Sequence, residues 1–173
     1  MKVDAIKAAI RDVKDFPKPG IIFKDISPIL QDPKLFHATI DAMAAPYAAA
    51  KPDLIIAAEA RGFILGAAMA YKLGCGFAML RKKGKLPWKT EGISYDLEYG
   101  SNQMEMHVDS VKPGAKVLLV DDVLATGGTA AAAVKLIERL GGKVIALSCL
   151  LELGFLNGRA KLGQTRVDAL IPL

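Results

Sequence analysis

Hydrophobic residues along this chain form two kinds of pattern. Short continuous apolar runs predict five buried strands, at residues 54–58, 76–81, 116–120, 143–151 and 167–171. Apolar residues at helical spacing predict helices over residues 2–12, 33–49, 62–73 and 129–140, and a short helix after residue 158. Because strands and helices alternate through most of the chain, the sequence predicts an α/β fold with a central, mostly parallel sheet flanked by helices.

One further pair of segments alternates apolar and polar residues. Residues 93–99 and 103–108 have this period of two and predict an antiparallel pair of strands. Before them, residues 81–89 contain one arginine and four lysines together with Gly84 and Pro87. A basic loop of this composition predicts a flexible lid, over about residues 83–101, that closes on an anionic small molecule.

Residues 14–30 are rich in proline and aromatic residues but have no helical period. Such a segment predicts a small N-terminal hood over the sheet, and two interpretations of it remain open. In the first, the Phe23 ring stacks on a flat heterocycle while the backbones of Ile22 and Lys24 hydrogen-bond to the edge of that ring. In the second, the hood is only a hydrophobic cover.

The pattern with the clearest chemistry lies between residues 117 and 129. Four aliphatic residues end in Asp121 and Asp122, and a turn of small residues follows: Ala125, Thr126, Gly127, Gly128 and Thr129. Parallel strands bind ligands at their carboxyl ends, where backbone N–H groups and a helix N-terminus attract phosphate. The carboxylates suit the vicinal hydroxyls of a ribose or a hydrated Mg²⁺. The segment therefore predicts a sugar-phosphate site, and its lack of lysine excludes a nucleotide P-loop.

A second turn of similar design follows the predicted strand at 54–58. There Glu59 and Ala60 precede Arg61, and a helix begins next. Two interpretations of Arg61 are open: it meets a second phosphate group of the ligand, or it forms a surface salt bridge with Glu59. Two interpretations of Glu98 are open as well: it exchanges a proton with a bound base, or it is simply solvated.

Composition limits the class of protein. With 173 residues, 52% apolar and 24% charged, the chain is expected to form a single domain over residues 1–173. The net charge of +5 is concentrated in the basic loop, which favours an anionic small molecule over nucleic acid. No apolar run is long enough to predict membrane contact or a secretory leader, so a cytoplasmic protein is expected. Cys75 and Cys149 are expected to be reduced.

Five segments, in this order and spacing, resemble the adenine phosphoribosyltransferases, which are type I phosphoribosyltransferases. They are FPKPGIIFKDISPIL, EARGFILGAAMAYKLG, RKKGKLP, SYDLEYGSNQMEMH and VLLVDDVLATGGTAAA. Many phosphoribosyltransferases share the TGGT segment, whereas the first and fourth segments are specific to the adenine enzymes. The resemblance implies the type I fold and the transfer of a phosphoribosyl group from 5-phospho-α-D-ribose 1-diphosphate to adenine. The products would be AMP and diphosphate, and the cofactor would be Mg²⁺.

The resemblance also implies residue roles. Residues 125–129 would bind the 5′-phosphate, and Asp121 and Asp122 the ribose hydroxyls. The diphosphate would be bound by Glu59, Ala60, Arg61, Arg81, Lys82 and Lys85. Adenine would be held by Ile22, Phe23, Lys24 and Leu124, with Glu98 and Arg61 as the catalytic residues. Mg²⁺ would be held mainly by substrate and water, assisted at most by the two aspartates, and the protein would be a homodimer.

Two other functions stay open. One is a phosphoribosyltransferase for another purine base, against which the hood segment argues. The other is a non-catalytic regulator of the same fold that senses the ligand and binds nucleic acid. The chain has no spare segment for reading nucleic acid, which argues against this second alternative.

Overall fold

The protein is described by a computed structural model over residues 3–96 and 101–173. Within these residues the helices are α1 (Val3–Ala8), α2 (Ser27–Gln31), α3 (Pro33–Ala44), α4 (Arg61–Leu73) and α5 (Gly128–Arg139). The strands are β1 (Arg11–Lys14), β2 (Ile22–Asp25), β3 (Leu54–Ala58), β4 (Gly76–Lys82), β5 (Thr90–Asp96), β6 (Ser101–His107), β7 (Lys116–Leu124), β8 (Lys143–Glu152) and β9 (Val167–Pro172). Short 3₁₀ helices lie at Ala45–Tyr47, Gly154–Leu156 and Gly158–Leu162.

Seven of the strands form one sheet, in the order β5-β6-β4-β3-β7-β8-β9. The five strands from β4 to β9 in this order are parallel, while β6 runs antiparallel to β4 and β5 antiparallel to β6. The strands β1 and β2 form a separate antiparallel pair. The predicted α/β fold with a mostly parallel sheet is confirmed. The predicted antiparallel pair of strands is confirmed as β5 and β6, while residues 97–99 of the first predicted strand lie outside the described residues.

The central strands are buried on both faces because helices cover both sides of the sheet. Ile55 and Leu118 pack in one core cluster together with side chains of α3 and α4. Their neighbours Ile56 and Leu119 point the other way and pack in a second cluster with side chains of α5. This two-sided burial explains why β3 and β7 are continuous apolar runs in the sequence.

The helix predicted over residues 33–49 begins as expected but ends earlier. The Asp32 carboxylate accepts hydrogen bonds from the backbone N–H groups of Lys34 and Leu35, at 2.8 and 2.9 Å, and caps α3. The helix ends at Ala44 and continues only as a 3₁₀ turn. Pro46 accounts for this, because it has no N–H group with which to continue the hydrogen bonds of the helix.

The helix predicted over residues 2–12 is wrong in its second half. It ends at Ala8, and residues 11–14 form β1, which pairs with β2 in the hood. Ion pairs between Arg11 and Asp25 (2.5 Å) and between Lys24 and Asp12 (2.7 Å) hold these two strands together. The pairing joins segments about ten residues apart, so local helical spacing gave no sign of it. The hood also contains the short helix α2.

The strand predicted over residues 116–120 is too short. The strand β7 continues to Leu124 and remains paired with β8 as far as Glu152, so both aspartates lie inside the strand. The residues of the predicted lid divide into a loop at 83–89 and strands at 90–96 and 101–107. Glu98 lies outside the described residues, and lid closure remains a prediction.

Both cysteines are free thiols, as expected. Burial raises the pKa of the Cys149 thiol to about 12, so this thiol is protonated at neutral pH. Throughout residues 3–96 and 101–173, none of the helices combines the length and hydropathy needed to span a bilayer.

Candidate active site

Three neighbouring parallel strands end at the same edge of the sheet. The strand β3 lies in the middle, with Ala58 opposite Leu80 of β4 and Ala57 opposite Val120 of β7. The basic end of β4, the turn at 59–61 and the turn at 125–129 therefore lie side by side. The fold thus brings together three groups of predicted site residues that are far apart in sequence.

The turn after β7, called here the phosphate turn (residues 125–129), encloses a cavity of about 90 Å³ together with Asp121 and Leu147. A cavity of that volume has room for a group of the size of a phosphate. Gly127 has φ +79° and precedes α5, in a conformation that glycine adopts readily. No side chain of the described residues caps α5, so its first backbone N–H groups are left for a ligand.

The phosphate turn packs against the 3₁₀ helix at Gly158–Leu162, called here the tail, and the sequence did not predict this support. A Cβ atom at Gly127 would lie 2.3 Å from the carbonyl oxygen of Gly158, and one at Gly158 would lie 2.2 Å from that of Ala125. The tail is itself anchored by Arg159, whose guanidinium donates two hydrogen bonds to Glu152, at 2.6 and 2.7 Å. Because the contact joins residues about thirty positions apart, no local motif in the sequence indicated it.

The two aspartates of β7 have different surroundings. Asp122 is buried and forms an ion pair with Arg61, the first residue of α4. The Asp121 carboxylate accepts a hydrogen bond from the backbone N–H of Asp122 at 2.8 Å and packs against Gly62, where a Cβ atom would lie 3.0 Å from its Oδ1. Burial, and next the charge of Asp122, raise the pKa of Asp121 well above its usual value.

Glu59 does not pair with Arg61, so the salt-bridge interpretation of that arginine is wrong. The Glu59 carboxylate instead accepts hydrogen bonds from the Arg81 guanidinium at 3.0 and 3.1 Å and from the Lys82 backbone N–H at 2.6 Å. Burial alone would raise the pKa of Glu59, but these hydrogen bonds and the Arg81 charge outweigh it and lower the pKa. Glu59 is therefore a charged anchor for the basic end of β4.

Two hydrogen bonds fix the backbone of the basic loop at 83–89. The Arg81 guanidinium donates to the Lys85 carbonyl oxygen at 3.0 Å, and the Gly84 N–H donates to the buried carboxylate of Glu105 at 3.0 Å. The side chains of Lys82 and Lys85 are exposed. Their backbones are fixed while their ammonium groups stay in solvent, which leaves those groups available to an anionic ligand.

The hood reaches the site through Phe23. The guanidinium carbon of Arg61 lies 4.9 Å from the centre of the Phe23 ring, and the centre of the Phe16 ring, which packs edge to face with Phe23, lies 5.2 Å from it. The Lys24 ammonium is held by Asp12 of β1 at 2.7 Å, and the neighbouring Ile22 side chain is exposed.

Leu124, predicted as the opposite wall of an adenine site, is only 2% exposed. It packs in the second core cluster and lines the cavity of the phosphate turn. Leu124 therefore belongs to the core and to the lining of the phosphate turn, and its contact with a base remains a prediction.

The acidic residues of the site suit a magnesium ion that is held only partly by protein. Within residues 3–96 and 101–173, no group of three or more His, Cys, Asp or Glu side chains is placed to hold a metal. Asp121 and Asp122 offer carboxylate oxygens, which Mg²⁺ prefers, and Mg²⁺ commonly keeps several waters and substrate phosphates as ligands. The donor set fits an ion brought in with a phosphorylated substrate.

Comparisons with known proteins agree on one group. The family model described as a phosphoribosyl transferase domain matches residues 26–167. The adenine phosphoribosyltransferase of Thermobifida fusca is 56% identical over 161 residues, covering 93% of this chain and 92% of its own. The crystal structure of adenine phosphoribosyltransferase from Thermoanaerobacter pseudethanolicus has a TM-score of 0.97 and 49% identity, covering 99% of this chain and 100% of that one. The Saccharomyces cerevisiae enzyme, crystallised with an imino-altritol bisphosphate and adenine, has a TM-score of 0.93 and 40% identity, with 97% of each chain covered.

Proposed function

This chain belongs to the adenine phosphoribosyltransferase family, and on that premise we propose that it transfers the phosphoribosyl group of 5-phospho-α-D-ribose 1-diphosphate to adenine. AMP and diphosphate are the products. One observation carries the proposal for this chain: the phosphate turn and the basic end of β4 flank the Arg61–Asp122 ion pair along a single edge of the sheet. A pentose with phosphate groups at both ends matches that arrangement.

The 5′-phosphate binds in the cavity of the phosphate turn. The free N–H groups at the start of α5 and the hydroxyls of Thr126 and Thr129 donate hydrogen bonds to its oxygens. The ribose then extends toward Asp121 and Asp122, whose carboxylates accept hydrogen bonds from the 2- and 3-hydroxyls. The absence of side-chain bulk in the turn supports this close approach of the backbone.

The diphosphate binds at the other end, on the turn at 59–61 and the basic end of β4. Arg61, Arg81, Lys82 and Lys85 supply positive charge there, which stabilises the negative charge that develops on the leaving group. Glu59 fixes the Arg81 guanidinium and the Lys82 backbone. These cations are thus positioned before the substrate arrives, so less reorganisation is needed during the reaction.

Adenine binds beneath the hood against the Phe23 ring, with the backbones of Ile22 and Lys24 at its edge. Its N9 forms a bond to the anomeric carbon as the bond from that carbon to the diphosphate oxygen breaks, and N9 loses its proton. Glu98 is the residue assigned to that proton by the family resemblance. The exposed Ile22 side chain and the partly exposed Phe23 ring support an apolar surface for a base in the hood.

Mg²⁺ supplies charge neutralisation of the diphosphate when it is bound. Asp121 and Asp122 are the residues of this chain that assist in holding it, with the substrate and water as the remaining ligands. Burial and the charge of Asp122 raise the pKa of Asp121, and a bound cation would favour the charged form of this carboxylate.

The segment at 83–101 acts as the lid, because water at the anomeric carbon would give ribose 5-phosphate instead of AMP.

The protein works in the cytoplasm as a homodimer. The dimer forms through an exposed apolar face of α4 and β4, made of Ile64, Ala67, Tyr71, Phe77 and Met79. Exposed apolar patches mark interaction sites when their residues are contiguous, and Arg61 is the first residue of the same helix. Light scattering should give about twice the 18.4 kDa chain mass, and Tyr71→Glu should reduce it to that of one chain.

A comparison of bases tests the proposed function. The purified protein is given the diphosphate donor and Mg²⁺ with adenine, guanine or hypoxanthine, and nucleotide formation is followed. We expect AMP from adenine, with kcat/KM at least about 100-fold above the other two bases, because their ring edges would leave buried hydrogen-bonding groups unpaired. Equal rates would point to the alternative enzyme, and salt-sensitive DNA binding without turnover to the regulator.

A further inference from the structure

The strand β5 is fastened to α5 near both ends of the helix. The Arg139 guanidinium, in the last residue of α5, donates to a Glu91 carboxylate oxygen and to the Gly92 carbonyl oxygen, each at 3.1 Å. At the other end, the Tyr95 hydroxyl lies 2.8 Å from the Thr129 hydroxyl. The second contact is notable because Thr129 belongs to the phosphate turn.

The Tyr95 ring lies directly on the first residue of α5. A Cβ atom at Gly128 would be 3.2 Å from Cδ2 of this ring and 3.4 Å from Cε2, which is tighter than most side-chain contacts at that position. The ring also packs against the second core cluster. Tyr95 is therefore held in place by packing, and its hydroxyl is aimed at Thr129 by a ring that has little freedom to move.

Hydroxyl chemistry fixes the direction of this hydrogen bond once a phosphate is bound. A threonine hydroxyl has one hydrogen to donate and lone pairs to accept, and a phosphate oxygen can only accept from it. Thr129 must therefore donate to the phosphate and accept from Tyr95.

We propose that Tyr95 is a positioning residue: it orients the Thr129 hydroxyl toward the 5′-phosphate and so couples β5 to the occupied phosphate turn. This inference rests on the proposed function and assigns a role to a residue outside the predicted binding set.

The test measures ribose 5-phosphate binding by calorimetry, because this compound probes the phosphate turn without adenine or diphosphate. Loss of one hydrogen bond in Tyr95→Phe should weaken binding about 5- to 10-fold, and kcat for AMP formation should fall as well. Tyr47→Phe is the matched control, since it removes a tyrosine hydroxyl bonded to Asp168 at 2.6 Å elsewhere in the fold. It should lower the melting temperature and leave ribose 5-phosphate binding unchanged.

A double-mutant cycle separates a specific link from general damage. If Tyr95 acts through Thr129, Tyr95→Phe should have no further effect on binding in a Thr129→Val background, whereas it should retain its effect in Thr129→Ser. Unchanged ribose 5-phosphate binding in Tyr95→Phe, or effects of Tyr95→Phe and Thr129→Val that simply add, would overturn the inference. Failure of the proposed function is distinguishable, because then the wild-type protein would form no AMP, whatever the effect of Tyr95→Phe on ribose 5-phosphate binding.

Discussion

Arg61 and Asp122 form an ion pair between the first residue of α4 and the interior of β7. The Asp122 side chain is only 8% exposed, whereas that of Arg61 is 44% exposed and also lies over the Phe23 ring. Three regions that the sequence assigned to different parts of a ligand, the hood, the turn at 59–61 and the paired aspartates, therefore meet at Arg61. The pair places a cation and an anion side by side at the middle of the proposed site.

Substitution of Asp122 tests this central position. Asp122→Asn keeps the size of the side chain but removes its negative charge. That charge holds Arg61, and the carboxylate oxygens accept hydrogen bonds from the ribose hydroxyls. We expect kcat/KM for AMP formation to fall about 100-fold or more, with the fold intact by circular dichroism. Asp109→Asn, the same change at an exposed position, is the control and should behave as wild type. An Asp122→Asn enzyme with unchanged kcat/KM would remove this residue from the mechanism.

The support of the phosphate turn by the tail gives a second prediction. Gly158→Ala would place a methyl group 2.2 Å from the Ala125 carbonyl oxygen, so the turn must shift. We expect a loss of stability of about 1–3 kcal/mol and AMP binding weakened by roughly tenfold or more. Gly154→Ala is the control, because its added methyl group would lie 3.4 Å from the nearest atom, the Leu173 carbonyl oxygen. Wild-type AMP affinity in Gly158→Ala would show that the tail does not shape the turn.

The raised pKa of Asp121 predicts a pH-dependent conflict between stability and function. An aspartate titrates near pH 3.9 in an unfolded chain, whereas the folded protein holds this proton to a higher pH. Folding therefore takes up a proton between these two values, and the stability of the wild type relative to Asp121→Asn falls as pH rises through that window. Asp121→Asn should melt higher than wild type at pH 8, with a smaller difference at pH 4, and should form AMP more slowly.

Thermal melts of wild type, Asp121→Asn and the exposed control Asp109→Asn at both pH values check this prediction. The control removes the same formal charge from the surface, so it accounts for any general effect of net charge. A lower melting temperature for Asp121→Asn than for wild type at pH 8 would mean that the native contacts of this carboxylate outweigh the cost of its burial.

The Glu59 anchor predicts an effect confined to the diphosphate end of the substrate. Glu59→Gln removes the negative charge that holds the Arg81 guanidinium, so we expect KM for the diphosphate donor to rise about tenfold. Ribose 5-phosphate binding, which uses the other end of the site, should change little. Glu138→Gln, an exposed change of the same kind on α5, serves as the control. Equal losses for both ligands would argue against this division of the site.

The sequence predicted the central sheet well because its signals are local. The run at 54–58 matches β3 at both ends, and the helix predicted at 62–73 is α4 with one added residue. Burial on two faces leaves a continuous apolar run, which needs no knowledge of distant residues. The same reasoning underestimated β7, because Asp121 and Asp122 are polar residues that remain in the strand through pairing with β8.

The contacts that the sequence could not predict join distant segments. Three such contacts depend on the tertiary fold: β1 pairs with β2, Arg61 forms its ion pair with Asp122 and not with Glu59, and Gly127 packs against Gly158. Tyr95 was within a recognised segment, but nothing in the sequence connected it with Thr129. The candidate binding residues could therefore be named from motifs, whereas the contacts that hold them in place became visible only in three dimensions.

The most direct test of the central claim is a crystal structure of the protein with AMP. The account predicts the AMP phosphate within hydrogen-bonding distance of the backbone N–H groups of the phosphate turn, with the ribose hydroxyls at Asp121 and Asp122 and the base beneath Phe23. An AMP molecule bound elsewhere, with the phosphate turn empty, would contradict it.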